Sequence, residues 1–216
     1  MTPDSKAALA ASARVCTRTF GPRGPHAWPS LMVMTDHAQQ GDATHLMDAL
    51  PAGTLVCLRD YDHPARPDLA LALSAKAKAK RLRLLIGKDP WLALAVGAWG
   101  VHMPEGLWRM SARGISAARA RGLRVTVSAH SVRAARSAIN GPAGACDALV
   151  VSPVFETQSH PGRKPMGALG FQRICNSAGT QGRSIPAYAL GGMNAQTIAG
   201  LKGTHAWGAC GIRFTA

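Results

Sequence analysis

Several groups of residues in this 216-residue chain have types and spacing that suit chemistry. His130, in the run VTVSAHS, has a side chain that titrates near neutrality and so suits proton transfer. Capping of the helix expected after it is the structural alternative. Gly191-Gly192, in ALGGM, would let backbone N–H groups approach a phosphate, and a helix expected from Ala195 adds a partly positive N-terminus. A tight turn explains a glycine pair equally well. Between Pro153 and Pro165 lies a long loop in which Thr157 and Ser159 offer hydroxyls while Arg163 and Lys164 offer charge, a set suited to a phosphate or diphosphate. A solvated surface loop is the plain alternative, although long ordered loops in compact domains are often functional. His102 sits inside an apolar run and reads as a core residue.

These residues need a scaffold, and the hydrophobic pattern supplies one. Continuous apolar runs predict strands at Leu31–Thr35, Thr54–Arg59, Arg83–Ile86, Gly100–Met103, Arg124–Ser128, Ala148–Ser152, Ile185–Leu190 and His205–Ala209. Runs without alternation fit strands covered on both faces, as in parallel sheets. Helices are expected at Asp68–Arg81, Trp91–Ala98, Ser111–Arg121, Val132–Asn140, Leu169–Ala178 and Ala195–Leu201, several opening on a capping residue or proline. Eight such units predict an α/β fold of the (β/α)8 TIM-barrel type, one domain over 1–216 with its core at about 31–212; a doubly wound open sheet is the rival. Too few residues follow the last strand for an eighth helix, and Ser5–Arg18 has a helical pattern suited to covering the barrel wall there. In such a barrel chemistry sits where strands end, which places Gly191-Gly192 and Cys210-Gly211 together as a phosphate cradle after strands seven and eight.

Lysine and arginine number 25 against 11 aspartates and glutamates, a net charge of +14 that favours anionic partners. A phosphorylated small molecule is the expected one. The basic run Lys76, Lys78, Lys80, Arg81 and Arg83 has no interleaved aromatic platform, so specific nucleic-acid binding is not expected. It reads as a solvated exterior. No apolar stretch of membrane-spanning length occurs, and no secretory leader is recognisable. Five cysteines, far apart and odd in number, argue for reduced thiols and a cytoplasmic protein. Oligomerisation is left open. Of the five tryptophans, Trp108 is a candidate to line the mouth.

The segments LMVMTD (31–36), VCLRD (56–60), LLIGKDPWLALAVGAWGVHM (84–103), VSAHS (127–131), VVSPVFETQSHPGRKPMGALGF (150–171) and ALGGM (189–193) together resemble the thiamine-phosphate synthase/TenI family. The resemblance implies a TIM barrel. It implies a synthase that joins a thiazole phosphate to a pyrimidine diphosphate, magnesium assisting loss of diphosphate, or a TenI-type tautomerase that moves a proton on the thiazole phosphate. By the same resemblance Thr157, Ser159, Gly191, Gly192, Cys210 and Gly211 would hold the thiazole phosphate.

The diphosphate half departs from the family pattern. Of its Gln-x-Arg-x-Lys only Arg59 remains, in Cys57-x-Arg59-x-Tyr61; its Asn-Asp aligns with Gly87-Lys88, its second metal aspartate with Leu107, and its lysine after the hydroxyl pair with His160. Lysine cannot coordinate magnesium, so a metal (Mg2+) is expected only for the synthase, with Asp89 and Glu105 as neighbouring carboxylates that a loop shift would have to bring in. Otherwise no cofactor is expected. Arg59, Lys88, Ser128, His160, Arg163 and Lys164 are the candidate diphosphate or pyrimidine contacts. The leading expectation is a tautomerase with His130 as acid and base; the alternatives are a synthase, and a non-catalytic phosphate-ligand binder or regulator.

Overall fold

The apolar runs close on themselves. The computed structural model describes residues 3–21, 28–141, 146–157, 162, 164–179 and 185–214. Eight strands follow in order: β1 (Leu31–Met34), β2 (Leu55–Leu58), β3 (Arg83–Gly87), β4 (Gly100–Met103), β5 (Arg124–Ala129), β6 (Ala148–Val151), β7 (Ala187–Leu190) and β8 (Gly208–Gly211). Each pairs in parallel with the next, and β8 returns to β1 through the register Met32↔Cys210, closing an eight-stranded barrel. The open-sheet rival is thereby removed.

Between the strands run α2 (His37–Gln40), α3 (Ala43–Asp48), α4 (Arg66–Ala79), α5 (Pro90–Ala95), α6 (Ala112–Ala120), α7 (Val132–Ile139), α8 (Gly167–Ala178) and α9 (Ala195–Ala199). The expected helices are all present, displaced by a few residues at their ends. The pair α2 and α3 was not foreseen; Asp36 and Asp42 cap them by accepting from Gln39 N and Thr44 N. The final strand lies later than expected, at Gly208–Gly211 and not His205–Ala209. A Cβ at Gly208 would collide with the Ser30 carbonyl, so close packing of β8 against the residues before β1 requires glycine there. No helix follows β8 among the described residues. Instead α1 (Pro3–Phe20) packs on α9 and β8, as its pattern suggested.

Burial separates into two layers. Val33, Val56, Leu84, Ile86, Val101, Val127 and Leu149 face the helices, whereas Met32, Met34, Leu55, Cys57, Leu85, Val150, Tyr188 and Cys210 fill the barrel interior. Tyr188 is fully buried and donates its hydroxyl hydrogen to the Pro29 carbonyl at 2.5 Å, which satisfies a polar tip in an apolar place. Trp28 and Trp99 meet edge to face, 4.7 Å between centroids, beside Tyr188. The basic run lies on the outer wall: Lys76 and Lys80 both reach Asp48, at 2.8 and 3.6 Å, Arg83 lies over the Trp99 ring, and Lys78 and Arg81 are exposed. All five cysteines are buried and unbridged.

Candidate active site

The C-terminal ends of the strands open on a cavity of about 710 Å³. That volume suits a ligand of substrate size. Its walls carry most of the residues that the sequence singled out, and three sectors differ in chemistry.

On the β7 and β8 side glycine backbone lines the cavity, with Asn194, Thr197 and the cation Arg213 beside it. Gly191 and Gly192 adopt φ of +102° and +63°, a region that side chains rarely enter. A Cβ at Gly191 would approach Pro153 Cα at 3.2 Å, and one at Gly192 would collide with the Glu156 carbonyl. The loop after β6 therefore sits directly on the glycine pair. Val154 N and Phe155 N donate to the Leu190 and Gly191 carbonyls at 2.9 and 3.2 Å, prolonging the β6–β7 pairing into the mouth. Below, Asn194 and Thr197 form a reciprocal cap, and Thr197 Oγ1 also donates to the Gly192 carbonyl at 2.8 Å. Gly211 reaches the same lining; a Cβ there would press on the Phe214 ring at 2.8 Å.

The β4, β5 and β6 sector carries the imidazoles. His130 follows β5, and its Nδ1 lies 2.7 Å from the Ser152 carbonyl oxygen. A carbonyl only accepts, so Nδ1 carries the hydrogen and Nε2 is the basic nitrogen of the neutral ring. The helix cap is a different residue, Ser131, whose Oγ accepts from Ala134 N. His102 departs from its reading as a plain core residue: it is 2 % exposed, yet its ring lies in the cavity floor. Its Nδ1 meets Thr126 Oγ1 at 2.8 Å and its Nε2 meets Ser128 Oγ at 3.0 Å. Burial, aided by the charge of Arg59, pushes the His102 pKa down to about 4. Each ring nitrogen thus meets a hydroxyl that can donate or accept, so the neutral ring is satisfied on both sides.

The β2 and β3 sector is basic. Arg59 lines the cavity and pairs with Asp36 at 3.4 Å. Lys88 lines it too, with Nζ 4.3 Å from the centre of the Tyr61 ring. Tyr61, Gln39 and Arg213 are lining residues that sequence reasoning passed over, and His102 is one that it read as core. Strand parity offered a signal for His102, since in β4 the residue two beyond inward-facing Gly100 must also face inward. For Arg213 no sequence signal stood out.

Other expected site residues fall elsewhere. Thr157 lines the cavity, whereas Lys164 is exposed outside the lining. Ser159, His160 and Arg163 lie outside the described residues. Cys210 turns its side chain into the barrel interior, where burial raises its thiol well above the usual range; it can offer the mouth no side chain. Trp108 does not line the mouth: it is buried against α7, with Nε1 3.4 Å from the Ser137 carbonyl.

Magnesium does not fit the donors present. Of the cavity-lining residues only Glu156 is a carboxylate. Asp89 caps α5 by accepting from Leu92 N at 2.9 Å and faces Arg66 at 3.8 Å. Glu105 accepts from His130 N at 3.1 Å. Magnesium is commonly held by one or two carboxylates beside substrate phosphates, but Glu156 belongs to the loop that covers Gly192, across the ring from Arg59 and Lys88.

Fold and site together define a closed α/β barrel with its chemistry-bearing residues gathered at the C-terminal mouth. Residues 31–214 match the model of the thiamine monophosphate synthase family, and the chain belongs to that family. It is 32 % identical over 189 residues to the Aquifex aeolicus protein named "Putative thiamine-phosphate synthase 2", covering 85 % of this chain and 96 % of that one. It is 32 % identical to the thiamine-phosphate synthase of Gloeobacter violaceus, covering 81 % of this chain and 45 % of that longer protein. Among solved structures the thiamine phosphate pyrophosphorylase of Pyrococcus furiosus shares the fold, with a TM-score of 0.62, 20 % identity and 84 % of both chains covered. The names of these relatives favour the synthase alternative over the tautomerase expectation. No helix among the described residues is long and apolar enough to cross a membrane.

Proposed function

We propose that this chain is a thiamine-phosphate synthase, joining a thiazole that carries a phosphate to a pyrimidine that carries a diphosphate. One observation carries the reading. Backbone suited to a phosphate lines the cavity at β7 and β8, while two cations, Arg59 and Lys88, line it at β2 and β3. In a ring of eight strands β3 and β7 stand opposite, so two anions can be held with their organic parts facing. A condensation of two phosphorylated substrates needs two such places; an isomerisation of one needs a single place. The family relationship supports the same choice.

In this reading Gly191, Gly192 and Gly211 seat the thiazole phosphate, with Thr157 beside them. Arg59 and Lys88 hold the diphosphate, stabilising it as it departs with the electron pair of the broken C–O bond. The thiazole nitrogen then forms the new C–N bond at the carbon that lost it. Ser128, held by neutral His102, offers its hydroxyl to the pyrimidine.

Incubating the purified chain with both substrates and following thiamine phosphate and diphosphate by mass spectrometry tests the proposal. Formation of both, and neither when one substrate is omitted, is expected; binding without either product would overturn it. A second reading, proton transfer on the thiazole phosphate, is favoured by His130 alone: its tautomer is fixed by Ser152 and its Nε2 is left as a base. Exchange of the thiazole proton into deuterated water, without the pyrimidine substrate, would identify that activity.

A further inference from the structure

The basic corner is more closely constructed than a pair of surface cations. Lys88 is exposed, yet its backbone is held at φ +68°, a conformation costly for a side chain with a Cβ. Its amide donates to the His102 carbonyl at 2.8 Å, which anchors that turn to β4. One residue earlier, a Cβ on Gly87 would meet the Leu58 carbonyl and Tyr61 Cε1, each at 2.9 Å, so the absence of a side chain lets the Tyr61 ring close over β3. Arg66, its side chain mostly buried, donates to the Gly87 carbonyl at 2.5 Å and lies 5.9 Å from the same ring. These contacts fix the lysine ammonium above the ring face at the cavity edge. Arg59 and Arg66 have carboxylate partners in Asp36 and Asp89; among the described residues Lys88 has none.

We infer that Lys88, seated on Tyr61 and accompanied by Arg59, is a metal-independent diphosphate site that replaces the divalent cation in this chain. The inference rests on the two-anion reading above for the identity of its ligand. Physically, a carboxylate at this position would attract diphosphate only after recruiting a metal. A lysine presents positive charge directly, and the ring face restricts its wandering without neutralising it. Asp89, the nearest carboxylate in sequence, is held away by its cap on α5 and by Arg66.

Titration calorimetry with inorganic diphosphate and the full chain tests this without requiring turnover. Binding in EDTA should equal binding in magnesium chloride within about twofold. Loss of one charge-assisted contact should weaken it about tenfold, so Lys88→Gly, which also relieves the positive φ, should bind tenfold more weakly, and Lys88→Arg should retain most affinity. Circular dichroism establishes that the variants fold, and because glycine adds no strain at this φ, weaker binding by Lys88→Gly reads the lost ammonium. Diphosphate binding that needs magnesium, binding unchanged in Lys88→Gly, or no binding at all would each overturn the inference. Condensation that proceeds only with magnesium would overturn it while leaving the synthase reading intact. Metal-free diphosphate binding without condensation would do the reverse.

Discussion

His130 and Ser152 are joined across the ends of β5 and β6 by a hydrogen bond from the imidazole Nδ1 to the Ser152 carbonyl, 2.7 Å long. The same residue has its backbone amide tied to the Glu105 carboxylate at 3.1 Å. The imidazole is thus oriented by backbone on one side and leaves a basic nitrogen at a cavity wall. Such an arrangement suits either a proton acceptor or a ligand contact, and the two uses respond differently to substitution.

His130→Ala separates them. A general acid or base contributes roughly 10²–10⁴-fold, so if the chain exchanges the thiazole proton, that exchange should fall by at least a hundredfold, read by NMR in deuterated water. Condensation, in which the thiazole nitrogen attacks without a proton being removed from it, should fall less than tenfold. A hundredfold loss of condensation with no proton exchange in the native chain would place His130 in the bond-forming step itself.

Gly192 is expected to be intolerant. Gly192→Ala faces a φ of +63° and a collision with the Glu156 carbonyl. Such a residue costs of order 1–3 kcal/mol where it can be accommodated at all. Urea denaturation should register that loss. Affinity for thiazole phosphate should also fall tenfold or more, because the Phe155–Glu156 segment must move away from the cradle. Unchanged affinity in a folded Gly192→Ala chain would remove the cradle from the phosphate site.

Asp89 discriminates a structural carboxylate from a metal ligand. Its side chain caps α5, so Asp89→Ala should destabilise by about 1 kcal/mol, measured by chemical denaturation. Asp89→Asn keeps a capping oxygen and should restore nearly all of that stability. Added magnesium should change diphosphate binding in neither the native nor the Asn chain. A magnesium response in the native chain that Asn abolishes would return Asp89 to a metal site.

What could be read in advance follows from which forces act locally. Strand positions came from apolar runs because a parallel barrel buries both strand faces, leaving an uninterrupted signal such as Leu149–Val151. The two short helices after β1 carry no periodic stripe of useful length, and only Asp36 and Asp42 mark them. The glycine pair and His130 were legible because their chemistry is local. Tyr61 and His102 were not: Tyr61 matters through a lysine 27 positions later in sequence, and His102 through hydroxyls on the neighbouring strand. At Cys210 strand alternation turns the thiol inward, so only its backbone, next to the Gly211 that reaches the mouth, can serve the cradle expected there.

The buried His102 sets the expected acid response of the fold. Its pKa is depressed from 6.5 to about 4 by burial, so the folded state favours the neutral ring. Above pH 6.5 the ring is neutral in both states and contributes no pH dependence. Between 6.5 and about 4 the unfolded chain binds the proton first, and stability must fall as pH falls. The full loss, reached below pH 4, is of order 3 kcal/mol, since each tenfold difference in proton affinity between the two states is worth about 1.4 kcal/mol. Urea midpoints of the native chain should drop across this window, whereas His102→Asn, whatever its own stability at pH 7, should show a shallower slope because its side chain does not titrate. Equal slopes for the two chains would mean that the ring is reached by water and protonates in the folded state, its hydroxyl partners turning to accept from both nitrogens. The cavity floor would then be cationic, not neutral, below about pH 6.5, and Ser128 would turn its hydroxyl hydrogen toward the ligand.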